Sequence, residues 1–351
     1  MMGFKIGERL IGPGSPVYVV AELSANHNQD FDQAVRIIQA AKGAGADAVK
    51  IQTYTADTIT IRCDREEFRI GGGTLWDGRT LFELYNEAFT PWVWQPRLKQ
   101  AANDLGMDLF SSPFDDTAVD FLEKMNVPAY KLASFELVDI GLIQKMARTG
   151  KLLILSTGMA TIEEIDEAVQ TARQAGATQI ALLKCTSAYP ATADDMNLRT
   201  IPELAKRFEV PVGLSDHTMG STAAVTAVTL GACIIEKHIT LSRSLKGPDS
   251  EFSLEPPEFK AMVDAIRTTE RALGVVQFGP SPREASSRVF RRSLFVVQDL
   301  RCGEKFTTQN VRSIRPAHGL HTRHLPEVLG KRASQDILRG TPLHWDLVEK
   351  Q

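Results

Sequence analysis

The stretch PVGLSDHTMGSTAAVTAVTLGACIIEKHI, residues 211–239, holds two short apolar runs, PVGLSD and CIIEKHI, on either side of a segment of helical character. Each run closes on polar residues, Ser215, Asp216 and His217 in the first and Glu236, Lys237 and His238 in the second. This is the pattern of a parallel βα unit, in which short buried strands alternate with amphipathic helices. Working outward, the same alternation recurs in VYVVAEL from Val17, AVKIQT from Ala48, DLFSSP from Asp108, AYKLAS from Ala129, LLILST from Leu152 and IALLKCT from Ile180. Eight such strands close a (β/α)8 TIM barrel. A doubly wound open sheet uses the same units, but no G-x-G-x-x-G follows the first strand, and polar residues end nearly every strand instead of gathering at one crevice.

The helices carry their own start signals. Phe31, Ala34, Val35, Ile38 and Ala41 fall on one helical face behind Asp30, a suitable N-cap. Thr161 and Glu164 have the spacing of a capping box. The connection after the second strand is long, from Tyr54 to about Pro91, and its GGGTLWDGRTLFELY segment reads as a lid or a substrate-reading loop. The last barrel helix runs from about Pro257 to Leu273, and VVQFGPSPREASSR after it has the Gly, Pro and Ser content of a linker. The expected organisation is a barrel with an N-terminal hairpin over residues 1–274, a linker over 275–289 and a small domain over 290–351, with short strands around SLFVVQDL.

Composition sets the limits of function. With 43% apolar and 24% charged residues, the chain can bury a large core. A net charge of −3 without long runs of one sign argues against nucleic acid or a membrane surface as partner. No apolar run approaches the roughly 18 residues of a membrane span, and MMGFKIGERLIGPG lacks the apolar core of a signal peptide. The expected location is the cytoplasm, and Cys63, Cys185, Cys233 and Cys302, which form no C-x-x-C pair, read as reduced core thiols.

Barrel enzymes carry their chemistry at the C-terminal strand ends. There the sequence places Glu22, Lys50, Gln52, Ser112, Lys131, Ser134, Glu136, Ser156, Lys184, Ser187, Ser215, His217, Glu236 and His238. His217 and His238 end neighbouring strands, and strand alternation turns Glu236 the same way as His238 and Lys237 the other way. A single histidine at a strand end is commonly just hydrogen-bonded; two together, beside Asp216 and Glu236, suit a divalent metal with open coordination positions. Mn2+, Mg2+ or Co2+ fits that arrangement better than a structural zinc. Lys50 and Lys131 at a polar mouth imply a phosphate- or carboxylate-bearing substrate, and the strand-end serines can bond its oxygens. Glu22 and Glu136 are candidates for proton transfer, with a salt bridge to Lys50 or Lys131 as the structural alternative.

These residues lie within motifs that resemble the sialic acid synthase family: AELSANH at 21–27, GADAVKIQT at 45–53, YKLAS at 130–134, LSTGM at 155–159, GLSDHT at 213–218 and EKH at 236–238. The tail from about residue 290 resembles the antifreeze-like (SAF) domain that follows the barrel in that family. Within it, TYTADT at 53–58, GTLWDGRTLFELY at 73–85 and RPAHGLH at 315–321 are most similar to the pseudaminic acid synthases. The resemblance implies condensation of phosphoenolpyruvate with 2,4-diacetamido-2,4,6-trideoxy-L-altrose to give pseudaminate and phosphate. It implies metal binding by His217 and His238 and phosphoenolpyruvate contacts from Lys50, Ser112, Lys131, Ser134, Ser156, Ser187 and Ser215. Gln52, Tyr189, Glu236 and Asp249 would lie near the acceptor sugar. Arg315 would reach an acetamido group across a domain-swapped homodimer, and Glu22, Glu136 and His238 would serve the chemistry. Ser187, Ser112 and Ala317 depart from residues usual in the neuraminate branch.

Three alternatives stay open at this point: N-acetylmannosamine or a legionaminate precursor as acceptor, a non-catalytic sugar-binding protein, and a 3-deoxy-heptulosonate-type synthase. The set Lys50, Lys131, His217 and His238 speaks against the second. The small domain and the lack of an added Arg/Lys cluster for a second phosphate speak against the third.

Overall fold

A computed structural model describes residues 3–7 and 9–350, which form two compact units divided between Gly274 and Val275. In the first, an antiparallel hairpin, β1 (Phe4–Ile6) and β2 (Arg9–Ile11), precedes the barrel strands. These are β3 (Tyr18–Glu22), β4 (Ala48–Thr53), β5 (Asp108–Pro113), β6 (Ala129–Leu132), β7 (Leu152–Ser156), β8 (Ile180–Cys185), β9 (Val212–Asp216) and β10 (Ile234–His238). All are parallel and pair in chain order, and β10 returns to β3, with His238 opposite Glu22, to close the (β/α)8 barrel.

The outer layer holds α1 (Phe31–Gly43), α4 (Gln95–Asp104), α5 (Asp116–Lys124), α6 (Ile140–Ala147), α7 (Ile162–Gln174), α8 (Thr200–Phe208), α9 (Thr222–Thr229) and α10 (Pro256–Leu273). Two more helices, α2 (Ala56–Ile59) and α3 (Leu81–Ala88), lie within the long connection after β4. That connection is therefore structured, which the run of three glycines at 71–73 concealed. The start signals act locally as expected: Asp30 accepts from the Gln33 amide, and Thr161 and Glu164 close a capping box.

Two apolar layers follow from side-chain alternation. Val19, Val49, Leu109, Leu153, Leu182, Leu214 and Ile235 point outward against the helices, while Tyr18, Val20, Ala48, Phe110, Ile154, Leu183 and Ile234 point inward. Phe4, Ile6 and Ile11 of the hairpin join the inner cluster, so β1 and β2 seal the N-terminal end of the barrel. The polar mouth is left at the other end.

The second unit is built around β11 (Ser293–Val296) and β12 (Val311–Ile314), which pair antiparallel over a core that includes Leu294, Phe306, Val311, Ile337 and Leu343. Gly319 is required there, because a Cβ would stand 2.1 Å from the Leu294 carbonyl oxygen. All four cysteines are free, but only Cys185 and Cys233 are buried; Cys302 is exposed and Cys63 half-buried, so the expectation of four core thiols holds for two. Cys302 lies in a solvated turn of the second unit, where no apolar run encloses it. No helix among the described residues is long and apolar enough to cross a membrane.

Candidate active site at the barrel mouth

The alternation that fills the barrel also chooses what reaches its mouth. After Tyr18 and Val20 on β3 the next inward residue is Glu22; after Ala48 on β4 come Lys50 and Gln52. Phe110 is followed by Ser112, Ala129 by Lys131, Ile154 by Ser156, Leu183 by Cys185 and Ile234 by Glu236 and His238. These polar groups are thus the top layer of a packed interior, held by strands rather than mobile loops.

Glu236 is the hub. Its Oε1 accepts from Ser215 Oγ at 3.0 Å and lies 3.2 Å from Lys50 Nζ and 3.3 Å from Lys131 Nζ. Lys50 Nζ also lies 3.0 Å from Glu22 Oε2, and Gln52 donates to Glu22 Oε1 at 3.1 Å. Burial works against the Glu236 charge, but Lys131 and Lys50 outweigh it and hold its carboxyl at about 2. Burial lifts Glu22 above the ordinary carboxylate range despite Lys50, and lowers Lys131 despite Glu236. Lys50 remains firmly protonated, because burial is overcome by Glu22 and Glu236. Two lysines thus share one fully ionised carboxylate and a second carboxyl that burial disfavours as an anion. Two ammonium groups side by side at the mouth make this floor a suitable seat for an anionic substrate.

Above this floor opens a cavity of about 540 Å3 lined by Lys50, Gln52, Ser112, Lys131, Ser134, Glu136, Tyr189, Ser215, His217, Glu236, His238 and Asp249. Twelve of the sequence-derived candidates therefore meet in one space. Glu136 Oε2 is buried without a hydrogen-bond partner, and burial, only partly opposed by Lys131, raises its carboxyl to about 7. Gly158 follows Ser156 and Thr157 at the end of β7, and its amide donates to Ser134 Oγ at 3.1 Å. A Cβ at Gly158 would lie 2.3 Å from Ser187 Oγ and 2.7 Å from Ser134 Oγ, so the LSTGM glycine lets two serines crowd one backbone amide.

Four candidates sit elsewhere. Glu22 lies behind Lys50 and Gln52 and does not line the cavity. Ser156 is buried with an unpartnered Oγ, and Ser187 stands beside Cys185 Sγ, 3.8 Å away, both outside the lining. Arg315 is exposed on the second unit. Asp216, expected beside the histidines, faces the other way. Its Oδ2 accepts from Lys237 Nζ at 2.8 Å, both side chains fully buried, and its Oδ1 accepts from the Thr218 amide. Lys184 likewise turns away to donate to the Cys185 carbonyl at 2.7 Å. Both follow from the period of two, since they are odd neighbours of inward residues.

The residues present suit a divalent ion with few protein ligands. The rings of His217 and His238 stand 5.4 Å apart between centroids. His217 Nδ1 donates to the Thr186 carbonyl at 2.9 Å, which orients the ring. Burial works against its charge, but Cys185 and that carbonyl raise His217 above its ordinary range, so Nε2 would offer its lone pair to an ion on giving up its proton. His238 Nδ1 is buried with no partner, and burial, reinforced by His217 and the nearby lysines, keeps this ring neutral. Among the described residues no group of three or more His, Cys, Asp or Glu side chains could hold a metal, so two imidazoles would leave most of the shell to substrate and water.

Sequence reasoning missed Ser24, Tyr54, Trp76, Cys185 and Phe252, which also line the cavity. Trp76 could have been flagged as an isolated aromatic in the long connection, and Cys185 as the last inward residue of β8. Cys185 Sγ lies 3.9 Å from His217 Nδ1, and although burial disfavours its thiolate, His217 lowers the thiol to about 6.

A (β/α)8 barrel with paired lysines and paired histidines at one mouth has the residues to seat an anionic substrate beside a divalent ion. The chain belongs to the NeuB family, which matches residues 37–278, and a SAF domain matches residues 291–349. It is 47% identical over 327 residues to a pseudaminic acid synthase from Campylobacter jejuni, covering 93% of this chain and 95% of that one. It is 46% identical over 336 residues to a pseudaminic acid synthase from Helicobacter pylori, covering 95% and 98%. Among solved structures, the N-acetylneuraminic acid synthetase of Leptospira borgpetersenii in complex with citrate is 31% identical, with a TM-score of 0.72 over 82% of this chain and 95% of that one.

Proposed function

We propose that the chain condenses phosphoenolpyruvate with 2,4-diacetamido-2,4,6-trideoxy-L-altrose and water to form pseudaminate and phosphate. The observation that carries this reading is the pair of ammonium groups, Lys50 and Lys131, that converge on Glu236 beside the imidazoles of His217 and His238. The Campylobacter and Helicobacter relatives point to the acceptor sugar. Neuraminate and legionaminate precursors are the competing acceptors.

In this reading Lys50 and Lys131 neutralise the carboxylate and phosphate of phosphoenolpyruvate, and Ser112, Ser134 and Ser215 fix its oxygens. Ser156 and Ser187 support them from behind the lining. Gln52, Tyr189, Glu236 and Asp249 hold the acceptor. A divalent ion held by His217 and His238 supplies Lewis acidity toward the acceptor's aldehyde oxygen when bound. C3 of phosphoenolpyruvate forms a bond to the aldehyde carbon, leaving a cation at C2. Glu136, unpartnered and poised near neutrality, takes a proton from the water that adds there. The tetrahedral carbon releases phosphate by breaking its C–O bond while its hydroxyl gives up a proton to the departing phosphate to leave the ketone, and Glu136 passes its proton to the alkoxide formed at the former aldehyde carbon. Glu22 acts through Lys50 and Gln52, holding both in place. Fixing both substrates in attack geometry removes much of the entropic barrier.

The domain-swapped homodimer, in which Arg315 of one copy completes the site of the other, belongs to the same proposal, as does a cytoplasmic location. The test is phosphate release from phosphoenolpyruvate with each of the three acceptors, with and without chelator. The reading requires preference for the altrose derivative and loss of turnover with chelator. Preference for N-acetylmannosamine refutes the acceptor, and turnover undiminished in the His217→Ala, His238→Ala double variant refutes the metal.

A further inference from the structure

The cavity has two unlike halves. The charged residues of its lining, Lys50, Lys131, Glu136, Glu236 and Asp249, all come from outside the connection between β4 and α4. Facing the floor, the connection between β4 and α4 presents Tyr54, Trp76, Leu81, Leu84 and Tyr85, joined by Phe114 after β5. No charged residue of that connection lines the cavity, and its polar side chains there are those of Tyr54, Thr74, Trp76 and Tyr85. Two of these are already engaged: Thr74 Oγ1 donates to Asp77, and Trp76 Nε1 donates to the Pro248 carbonyl at 2.9 Å.

This wall is built and fixed. The Tyr54 ring meets Tyr85 at 5.7 Å and Phe114 at 5.1 Å between centroids, both edge to face. Thr80 and Glu83 close a capping box at the start of α3, which sets Leu81, Leu84 and Tyr85 one turn apart on a single face. Trp76 lies against Tyr189, whose ring in turn lies 4.4 Å from His217, so the wall continues down to the chemistry.

Substrate chemistry fixes which end of the acceptor meets it. The aldehyde carbon must sit at the floor, near His217, His238 and the enolpyruvate bound by the lysines. The open chain then runs away from the floor, and C6 is its far end. From this geometry we infer that the wall of Trp76, Leu81, Leu84, Tyr85, Tyr54 and Phe114 reads the distal end of the acceptor and selects a 6-deoxy sugar, taking the C6 methyl and the methyl of the C4 acetamido group. A hexose with a hydroxyl or phosphate at C6 would push that group against a mostly apolar surface, where only the Tyr54 and Tyr85 hydroxyls could bond it and nothing offsets a phosphate's charge. This rests on the proposed condensation and adds the residues that choose the acceptor.

The experiment compares kcat/KM of the intact enzyme for the trideoxy sugar, its 6-hydroxy counterpart and its 6-phosphate. Adding one hydroxyl to a substrate of an apolar pocket is disfavoured by about 10²-fold, and the phosphate by more. Leu81→Ser, at a half-buried position, narrows the hydroxyl gap to under about tenfold with the KM for phosphoenolpyruvate unchanged. Turnover of the trideoxy sugar with an equal rate on the 6-hydroxy analogue overturns this inference and leaves the condensation standing. No turnover of the trideoxy sugar overturns both. A gap unmoved in folded Leu81→Ser and Tyr85→Ala variants overturns the assignment of the wall.

Discussion

Lys237→Met tests the part of the barrel that holds the two histidines in place. Lys237 precedes His238 and Asp216 precedes His217, and their outward side chains meet behind the sheet with 2.8 Å between charged atoms and no solvent exposure. At an effective dielectric of 20 that attraction is about 6 kcal/mol, against a desolvation penalty of several kcal/mol for each ion. The intact pair is therefore close to neutral, and burial in fact holds the Lys237 ammonium below its usual range despite Asp216. Removing the lysine alone leaves Asp216 charged, buried and unpaired, a loss of about 3–5 kcal/mol. Asp216→Asn in the same chain removes the stranded charge while keeping an acceptor for the Thr218 amide, so the double variant recovers most of the loss. Urea unfolding followed by tryptophan fluorescence gives the cycle, since Trp76, Trp92 and Trp94 lie in the barrel. Titration with Mn2+ on the folded variants reports the histidines. A Lys237→Met variant within about 1 kcal/mol of the parent, or a double variant whose loss equals the sum of the singles, refutes the clip.

Gly158→Ala drives a Cβ into Ser187 and Ser134; the KM for phosphoenolpyruvate rises at least tenfold while Mn2+ affinity is unchanged, as steady-state kinetics and metal titration will show. Glu136→Gln lowers kcat by about 10²–10⁴-fold and abolishes the limb of the pH profile near 7, which in the parent rises with pH because the base must be ionised. The same shift has a stability consequence. With the folded pKa raised, the neutral carboxyl is favoured in the fold, and stability is lost as pH rises from about 4.5 to about 7. Glu136→Gln escapes that loss and is more stable than the parent at pH 8 by up to about 3 kcal/mol, measured by urea unfolding at pH 5 and pH 8. Ile6→Ala in the hairpin, 1% exposed, lowers stability by about 2–5 kcal/mol and leaves kcat of the folded fraction unchanged, since the hairpin seals the end opposite the chemistry.

Most of the barrel and its mouth were legible because one rule governs both. Period-two alternation within short strands decided that Ile234 packs inward and also that Glu236 and His238 emerge beside it. The rule needs the phase of each strand, which the apolar residues supply. Where it was not applied, the reading went astray: Asp216 was placed with the histidines by its position in the chain, although Ser215 and His217 on either side already occupied the inward phase. Glu22 was correctly phased and lies in register with Lys50 and His238, but Lys50 and Gln52 bond it and take its place in the lining, and sequence spacing does not encode which strand-end side chain covers another. The apolar wall was least legible. The connection from Tyr54 to Pro91 contains glycines, charges and isolated aromatics without a sustained period, and only folding brings Tyr54, Tyr85 and Phe114 into one surface.

The division of the cavity also bears on why two lysines can be buried there. An ammonium group taken from water needs compensation, and Glu236 alone serves both Lys50 and Lys131. Adding carboxylates would stabilise the empty protein, but would also fill the seat that a phosphate and a carboxylate must occupy. Glu22 avoids this because it stands behind Lys50, outside the lining. Inside the lining two lysines thus face one carboxylate between them, and the anionic groups of phosphoenolpyruvate supply the further partners. An apolar wall opposite strengthens that attraction by excluding water once the acceptor fills it. Lowering the floor's charge with Lys131→Met should therefore weaken phosphoenolpyruvate binding while stabilising the unliganded barrel, two effects of opposite sign that calorimetry and urea unfolding can separate. A variant that is both weaker in binding and less stable would show that Lys131 is needed to hold Glu236, and that the floor is neutral as it stands.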